Sequence, residues 1–281
     1  MSAETHLSPG AGRRFERYVA IGDSSTEGLD DPAGDGGFRG WANRLAEQIE
    51  ASQLRETGRG GLLYANLGVR GRKTREIRDQ QLAPALALRP DLVTLFSGTN
   101  DMVARRFDLA TVAADLEEMM AAAAGSGAVV LTFTMPDLVP VMPIARRIAP
   151  RLDALNAAIR GAAERTGALL VDFARHAVAS DPRLWSPDRL HANAAGHARI
   201  AAALAHALAL PGAGDDWRSP LPPAVPRSAA HRLRDEIVWG RDYLVPWLVR
   251  HALGRSSGDR RQPKRPDLAP IATAPGREEC E

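Results

Sequence analysis

The sequence predicts an α/β protein: a three-layer sandwich in which helices cover both faces of a five-stranded parallel sheet. Short apolar runs bounded by turn-forming residues alternate with longer amphipathic runs along most of the chain. Strand, helix and strand repeated in this order favour right-handed crossovers and parallel pairing. With 281 residues, 44% of them hydrophobic, the chain is long enough for one large α/β domain plus an extension, or for two small domains.

Five segments fit buried strands, because each is short, apolar and flanked by turn formers. They are YVAI from Tyr18, LLYANL from Leu62, LVTLF from Leu92, AVVLTF from Ala128 and ALLVDF from Ala168. The helical patterns between and after them are WANRLAEQIEASQ, TREIRDQQLAPALAL, LATVAADLEEMMAAAA, IARRIAPRLDALNAAIRGAAERT and ANAAGHARIAAALAHALA. In a sheet of this kind, functional groups are expected on the loops that follow the strands.

Composition also predicts how the chain is divided. Residues 1–17 are expected to be a disordered N-terminus and residues 18–210 the α/β domain. Residues 211–228 are expected to be a linker, because PGAGDDWRSPLPPAVPRS is rich in proline. Residues 229–254 predict an amphipathic helical extension, and the Pro, Gly, Ser and charged residues of 255–281 predict a disordered tail.

Charge and cysteine content exclude several classes of partner and site. The formal net charge is only +2, with arginines scattered among acidic residues, so nucleic acid is not an expected partner. The single cysteine, Cys280, can form neither an internal disulfide nor a cysteine-rich metal site. No apolar run before Tyr18 is typical of a secretory signal, and no run reaches the roughly 18 to 20 apolar residues that span a bilayer. A cytoplasmic protein is expected.

Small, amide or acidic residues follow four of the predicted strands, at the edge where open α/β sheets bind ligands. In chain order they are Gly22, Asp23 and Ser24, then Gly68 and Gly71, then Gly98, Asn100 and Asp101, and finally Asp188 and His191. A serine, a histidine with a nearby carboxylate and donors for an oxyanion are thus predicted to meet on one rim of the sheet.

Ester hydrolysis needs this set of residue types. A serine hydroxyl is a poor nucleophile until a histidine takes its proton, and His191 suits that role for Ser24. Asp188 can hold the imidazole in the required tautomer. The N–H groups of Ser24 and Gly71 and the amide of Asn100 are candidate oxyanion donors, whose loss costs on the order of 10² to 10³ in rate. Each residue also has a structural alternative, such as a turn glycine, a helix cap or a surface histidine.

The blocks IGDSSTEG, NLGVRG, GTND and DRLH resemble, in this order, the four sequence blocks of the SGNH hydrolases, also called the GDSL esterase and lipase family. The resemblance covers about Tyr18 to Leu208, which is essentially the whole predicted domain. It implies a flavodoxin-like three-layer fold and a reaction that uses neither a metal nor a cofactor.

The resemblance also implies a role for each candidate residue. Ser24 would be the nucleophile, and Ser24, Gly71 and Asn100 would form the oxyanion hole. His191 would be the base, oriented by Asp188. The predicted function is therefore carboxylic ester hydrolysis through an acyl-enzyme.

Residues near these positions are less diagnostic. Because the resemblance places the triad acid in the last block, Asp23 is interpreted as a structural residue of the turn. The glycine loop is basic, with Arg70, Arg72, Lys73 and Arg75 around the predicted oxyanion donor. A solvated basic loop is the favoured interpretation, and binding of an anionic substrate by one of the arginines is the alternative.

The substrate class stays open at this point. A small-molecule, lipid or sugar ester is expected, so esterase, lipase and carbohydrate-ester deacetylase activities all fit. Acyl transfer on the same residues is one alternative, and a non-catalytic binding or scaffold module is another. The loop 28–41 and the segment after Met135 are expected to form walls of the site. The sequence does not predict the oligomeric state.

The extension carries apolar residues at helical spacing, with a break expected near Gly240 to Pro246. They are Leu233, Ile237, Leu244, Trp247, Leu248 and Leu253. The favoured interpretation is that this stripe docks on the hydrolase domain or on a second copy of it. The alternative is peripheral membrane attachment, because tryptophans beside arginines and the basic segment RRQPKR suit an anionic lipid surface.

Overall fold

The computed structural model describes residues 12–34, 36–223, 228–246, 249 and 257–271. Its strands are β1 (Arg17–Gly22), β2 (Leu63–Asn66), β3 (Leu92–Phe96), β4 (Val129–Phe133), β5 (Leu169–Val171) and β6 (Arg265–Pro270). Its α-helices are α1 (Ser24–Glu27), α2 (Gly40–Thr57), α3 (Thr74–Ile77), α4 (Ala83–Ala87), α5 (Thr99–Met102), α6 (Leu109–Gly125), α7 (Ala149–Thr166), α8 (Ala194–Ala207) and α9 (Ala229–Trp239).

The strands form one sheet in the order β5-β4-β3-β1-β2-β6. The first five strands along the chain pair in parallel, with Val19 of β1 opposite both Ala65 of β2 and Val93 of β3. The predicted α/β class and its five parallel strands are confirmed. The sheet is larger than expected, because β6 adds a sixth strand antiparallel to β2.

Helices flank the sheet in two pairs, with α2 packed on α8 and α6 packed on α7. All residues of β3 and β4 are buried, as expected for strands covered on both faces. Near the carboxyl ends of these strands the rings of Phe96 and Phe133 stack with centroids 4.2 Å apart, and Trp41 of α2 meets Phe133 edge-on at 5.3 Å. This aromatic cluster lies beneath the edge where the candidate site forms.

The folded part of the chain begins earlier than predicted. Phe15 is fully buried in the core, and its N–H donates to Gln53 Oε1 at 2.6 Å. Disorder was expected for residues 1–17, and that expectation is wrong for residues 12–17, because burial of Phe15 and its main-chain hydrogen bond to α2 hold this segment on the domain. Residues 1–11 lie outside the described residues.

The predicted linker also contributes to the domain. A short 3₁₀ helix, Asp216–Arg218, buries Trp217, whose ring lies edge-on to Phe173 at 5.6 Å. The domain therefore does not end near Leu210, because this tryptophan belongs to the hydrophobic core. The proline-rich composition predicted a linker, but burial of Trp217 holds this segment on the domain.

The described part of the extension is helical, and the regular α-helix ends at Trp239, next to the segment where a break was expected. After α9 the chain continues through a π-helical turn, Gly240–Leu244. The predicted stripe does not dock on the domain at its first two positions, because Leu233 and Ile237 are 63% and 64% exposed. Among the α9 residues whose burial the structure describes, Trp239 is the buried one, at 8% exposure. The predicted positions Trp247, Leu248 and Leu253 lie outside the described residues.

The tail is ordered over the range that the structure describes. Residues 265–270 form the edge strand β6, with Tyr64 opposite Ala269, so the disorder expected for 255–281 is wrong here. Arg265 secures the strand, because its Nε donates to Tyr64 O at 2.8 Å. Residues 272–281 lie outside the described part of the chain. None of the helices in the described ranges combines the length and apolar character required to cross a bilayer.

Candidate active site

The first strand ends in a sharp turn that presents Ser24. Gly22 has φ +153°, and a Cβ there would lie 2.2 Å from Thr26 Oγ1 and 2.5 Å from Phe96 O, so only glycine fits. Asp23 then caps α1, with Oδ1 accepting a hydrogen bond from Ser25 N at 3.0 Å. The structural role expected for Asp23 is confirmed, and Ser24 is the first residue of the helix.

A glutamine holds the main chain just before this turn. Gly22 N donates to Gln81 Oε1 at 2.8 Å, and Gln81 Nε2 donates to Gly22 O at 2.9 Å. Gln81 is buried in a π-helical segment, Arg78–Leu82, that joins α3 to α4. The sequence predicted one regular helix here and missed Gln81, because nothing in the helical pattern marks a π turn. Such turns are frequent at functional sites.

Three of the predicted site residues come together in the structure. His191 Nδ1 lies 2.6 Å from Asp188 Oδ2, and His191 Nε2 lies 2.8 Å from Ser24 Oγ. An ionised carboxylate can only accept, so the proton of the neutral imidazole is on Nδ1. Nε2 is then free to accept from the Ser24 hydroxyl. The serine and the histidine, 167 residues apart in sequence, thus form one hydrogen-bonded chain with Asp188.

The turn that carries Asp188 orients its carboxylate. Oδ1 accepts from Leu190 N at 2.9 Å and from His191 N at 3.0 Å. Arg189, between Asp188 and Leu190, has φ +61°, in the left-handed region that residues other than glycine rarely adopt. The backbone therefore curls around the carboxylate, which leaves Oδ2 for the imidazole.

A second carboxylate, which no sequence motif marked, lies next to the histidine. Asp30 Oδ2 is 3.9 Å from His191 Nδ1. Ser186 Oγ lies 2.6 Å from Asp30 Oδ2 and 2.9 Å from Asp188 Oδ1, so its hydroxyl can donate to either carboxylate. Asp30 belongs to the loop 28–41 that was expected to border the site, which was the available signal. Nothing in the SPDRLH block marked Ser186 as its partner.

These groups are also the place where a cation would fit by ligand type. One atom each of Asp30, Asp188 and His191 lie within 4.8 Å of one another. In the structure Nδ1 of the imidazole is engaged by Asp188 Oδ2, so a cation there would have to displace this hydrogen bond.

The surroundings shift the pKa values of the acid and the base apart. Burial lowers the pKa of His191, but its hydrogen bond to Asp188 and the charges of Asp188, Asp30 and Asp23 outweigh burial and raise it above 6.5. Burial raises the pKa of Asp188, yet the hydrogen bond and charge of His191 and two backbone N–H groups lower it to about 2. Asp188 is therefore ionised whenever His191 titrates.

Burial shifts the pKa values of two further titratable groups near the site, Asp23 and His197. Complete burial raises the pKa of Asp23 to about 6. Burial also lowers the pKa of His197 to about 4, so this histidine is neutral. Its Nδ1 accepts from Trp41 N at 3.1 Å and its Nε2 donates to Leu29 O at 2.8 Å, so it joins α8 to the loop that carries Asp30.

Two of the three predicted oxyanion donors, Gly71 and Asn100, follow β2 and β3 in the chain. Asn100 lines the same cavity as Ser24 and His191, and its Nδ2 donates to Arg72 O at 2.9 Å and to Asp23 Oδ2 at 3.3 Å. Gly71 immediately precedes Arg72 and has φ +75°, which favours glycine there. Asn100 therefore joins the glycine loop to the turn that carries Ser24.

The arginines of the glycine loop are paired with carboxylates. Arg70 forms an ion pair with buried Glu27, Arg72 with Glu76 at 2.9 Å, and Arg75 with Asp115 at 2.9 Å. These pairs support a structural role for the basic loop over recognition of an anionic substrate.

A largely apolar cavity opens beside Ser24. Its apolar walls come from the strand ends, the segment after β4, the 3₁₀ turns after β5 and the helix α8, with the residues Phe96, Phe133, Met135, Pro136, Phe173, Val178, Ala179, Leu184, Trp185, Leu190, Ala192, Ile200 and Trp217. Met135 and Pro136 fit the expectation that this segment forms a wall. The described residues of loop 28–41 do not line this cavity and contribute Asp30 instead.

Comparisons with known proteins agree with this architecture. LAE5, an alpha/beta hydrolase enzyme from the metagenome of Lake Arreo in Spain, is 26% identical, with a TM-score of 0.57 over 71% of this chain and 96% of its own. An acetylxylan esterase from Geobacillus stearothermophilus is 19% identical, with a TM-score of 0.56 over 72% and 96%. The psychrotrophic esterase EstA from a Pseudoalteromonas species is 18% identical, with a TM-score of 0.53 over 69% and 97%.

Sequence comparisons address the family directly. The sequence has no match among curated proteins. The model of the GDSL-like lipase/acylhydrolase family matches residues 20–199, a range that contains Ser24, Asn100, Asp188 and His191. This range is more than half of the chain, so the protein belongs to the GDSL-like lipase/acylhydrolase family of ester hydrolases.

Proposed function

We propose that the protein cleaves carboxylic esters as a serine hydrolase, with an acyl-enzyme on Ser24 as the intermediate. The observation that carries this proposal is the hydrogen-bonded chain from Ser24 Oγ through His191 to Asp188, with distances of 2.8 and 2.6 Å. A serine becomes a nucleophile when a neutral imidazole within hydrogen-bond reach can take its proton. Asp188, with a pKa of about 2, holds the imidazole and stabilises the imidazolium that forms.

In acylation, Ser24 Oγ attacks the ester carbonyl carbon while its proton passes to His191 Nε2. The tetrahedral intermediate collapses as the bond to the alcohol oxygen breaks, and Nε2 returns the proton to the departing alkoxide. In deacylation, Nε2 takes a proton from water, whose oxygen attacks the acyl carbon. The acid is released and Ser24 regains its proton, so every proton is accounted for.

The oxyanion hole would be formed by Ser24 N, Gly71 N and Asn100 Nδ2. Support comes from Asn100, whose amide faces the cavity and makes a long 3.3 Å contact with Asp23 Oδ2 beside a shorter one with Arg72 O. Exchange of the long contact for a substrate oxygen leaves the short one to hold the amide in place. Donors preorganised in this way stabilise charge that develops in the transition state.

The cavity supports an ester with an apolar acyl or alcohol group. Aromatic and aliphatic side chains form most of its wall, and burial of a methylene group from water contributes about 0.8 kcal/mol. A lipid or aryl ester can use this wall, whereas a sugar acetate would leave most of it without a partner. We therefore place medium-chain or aryl esters ahead of acetylated carbohydrates.

The test combines turnover with labelling of the nucleophile. Initial rates on p-nitrophenyl acetate, butyrate and octanoate should show kcat/KM rising with chain length, by about 10-fold or more overall if the cavity takes the acyl chain. A fluorophosphonate probe should label the wild type on the peptide that contains Ser24.

Two matched variants sharpen this test. Ser24→Ala should lose the label, and Ser25→Ala, one residue away, should keep it. A folded wild-type protein without label or turnover would leave the binding or scaffold module as the function. A preference for the acetate would exclude the apolar acyl site, and ester exchange with added alcohols in preference to water would indicate an acyltransferase.

A further inference from the structure

Helix α9 lies beyond residues 20–199, which the family model matches, and one of its residues contacts the loop of the proposed catalytic acid. Trp239 Nε1 donates to Asp188 O at 3.1 Å. The side chain is 8% exposed, whereas Ile237 on the same helix is 64% exposed. Trp239 therefore forms one contact between α9 and the loop that carries Asp188.

The residue after Asp188 is held by the same helix face. The Arg189 guanidinium lies over the Trp239 ring, 4.7 Å from its centroid, and donates to Glu236 Oε2 at 2.8 Å. Glu236 and Trp239 are three positions apart, so they share one side of α9. Together they hold the Arg189 guanidinium in position: the Trp239 ring lies against its plane, and Glu236 pairs with its charge.

The conformation of Arg189 connects these contacts to the proposed triad. With φ +61° it adopts a backbone geometry that is unfavourable for a residue with a Cβ, and such geometry persists where the surroundings enforce it. The two N–H groups that follow Arg189 are those that hold Asp188 Oδ1. Relaxation of Arg189 would turn them away and release the carboxylate that orients His191.

We propose that Trp239 and Glu236 are positioning residues that hold the turn at Arg189, so that the C-terminal extension completes the active site. The proposal rests on the proposed function, because it assigns to Asp188 the orientation of His191. A purely structural role for α9 predicts a different outcome: loss of Trp239 would lower stability without changing the coupling between Asp188 and His191.

The central experiment uses the full chain with Trp239→Ala, Trp239→Phe and Ile237→Ala. We expect kcat to fall about 10-fold to 100-fold in Trp239→Ala, as for a small misplacement of a catalytic group. KM should change little, because none of the described side chains of α9 lines the cavity. Trp239→Phe keeps a ring for Arg189 and loses the N–H donor, so its loss should be smaller. Ile237→Ala, on the exposed side of the helix, should behave as the wild type.

The pKa of His191 can be followed by NMR of its ring protons. It should change if Trp239 positions Asp188, and it should stay unchanged if α9 contributes only to packing. We expect the pKa to fall toward the ordinary value in Trp239→Ala, because the hydrogen bond to Asp188 weakens. The pKa should stay unchanged in Ile237→Ala. Glycine adopts positive φ without penalty, so Arg189→Gly in the Trp239→Ala background should recover part of kcat.

The outcomes are separable. Wild-type kcat and wild-type His191 pKa in folded Trp239→Ala and Trp239→Phe would overturn the proposal. A drop in melting temperature with an unchanged His191 pKa would assign α9 to packing alone and also overturn it. If Ser24→Ala turned over esters as fast as the wild type, the proposed function would fail, yet the His191 pKa in the Trp239 variants would still decide the positioning role.

Discussion

His191 faces three carboxylates, those of Asp188, Asp30 and Asp23, which together raise its pKa above the ordinary value. A general base must be neutral, so activity is lost as pH falls through this pKa and is present above it. The acid limb of the kcat/KM profile should therefore lie at higher pH than for an ordinary histidine.

Asp30→Asn provides the test of this electrostatic account. Removal of the charge 3.9 Å from Nδ1 lowers the pKa of His191, so the acid limb should move to lower pH. The pH dependence of kcat/KM for the wild type and the variant measures the shift. A profile that does not move would mean that Asp30 has no electrostatic influence on the base.

Ser24 and His191 should act as one unit. Ser24→Ala and His191→Ala are each expected to lower kcat by about 10⁴-fold or more, and the double variant should be little worse, because either change removes the activated nucleophile. Asp188→Asn should cost less, since its role is orientation and charge stabilisation. Steady-state kinetics of the four variants measure this, and near-additive losses would contradict the shared role.

At the scale of elements, Gln81 links an irregular helix to the nucleophile. Gln81→Met keeps the volume of the side chain and removes both of its hydrogen bonds to Gly22, whose C=O keeps the one from Val69 N. We expect a loss of about 1 to 3 kcal/mol in the free energy of unfolding and a lower kcat, because the turn at Ser24 shifts. Urea denaturation and ester turnover measure both effects.

Gln80→Met is the matched control, because Gln80 is the exposed neighbour on the same segment. It should leave the free energy of unfolding and kcat unchanged. Equal effects of the two substitutions would show that the helix tolerates methionine poorly and that the contact with Gly22 is not responsible.

The elements that the sequence predicted well are those with strong local patterns. Five apolar runs became five parallel strands because a strand covered on both faces must be apolar throughout. β6 was missed because RPDLAP contains Pro266 and Pro270 and lacks an apolar pattern. Proline is tolerated in an edge strand, and the pairing of β6 depends on β2, 200 residues earlier, which no local pattern encodes.

The candidate site likewise combines residues that local sequence patterns predict with residues that only tertiary packing brings in. The residues that follow parallel strands could be predicted to meet, and the structure brings Ser24, Asn100 and His191 to one cavity. Asp30 and Trp239 reach the Asp188 loop from distant segments, through contacts set by tertiary packing. The loop 28–41 was expected to border the site, but nothing in the sequence marks Asp30 within that loop or places Trp239 beside Asp188.

At the scale of the whole molecule, the C-terminal segments bind the domain at one surface and expose apolar groups at another. Lys264 Nζ donates to Phe38 O at 2.7 Å, and Arg265 is bonded to β2, so two cations of the basic segment RRQPKR are engaged by the protein itself. Leu233, Ile237 and Val245 are exposed. Contact of this helical segment with a membrane stays a prediction.

Co-sedimentation with anionic vesicles tests it. If the segment attaches to lipid, the wild type should bind mainly through its apolar face, with modest salt dependence, and Leu233→Ser with Ile237→Ser should abolish binding. Ester turnover in solution serves as the folding control for the double variant. A wild type that stays in the supernatant at low and high salt would contradict membrane attachment.

The central claim for the molecule is that the ester's acyl group is transferred to Ser24 before water releases it. The most direct measurement is acid quenching during turnover of a p-nitrophenyl ester, followed by peptide mass spectrometry of the wild type and of Ser24→Ala. An acyl-enzyme on Ser24 predicts the acyl mass on the peptide containing Ser24 in the wild type and none in the variant. An acyl group on another residue, or rapid turnover by Ser24→Ala, would contradict it.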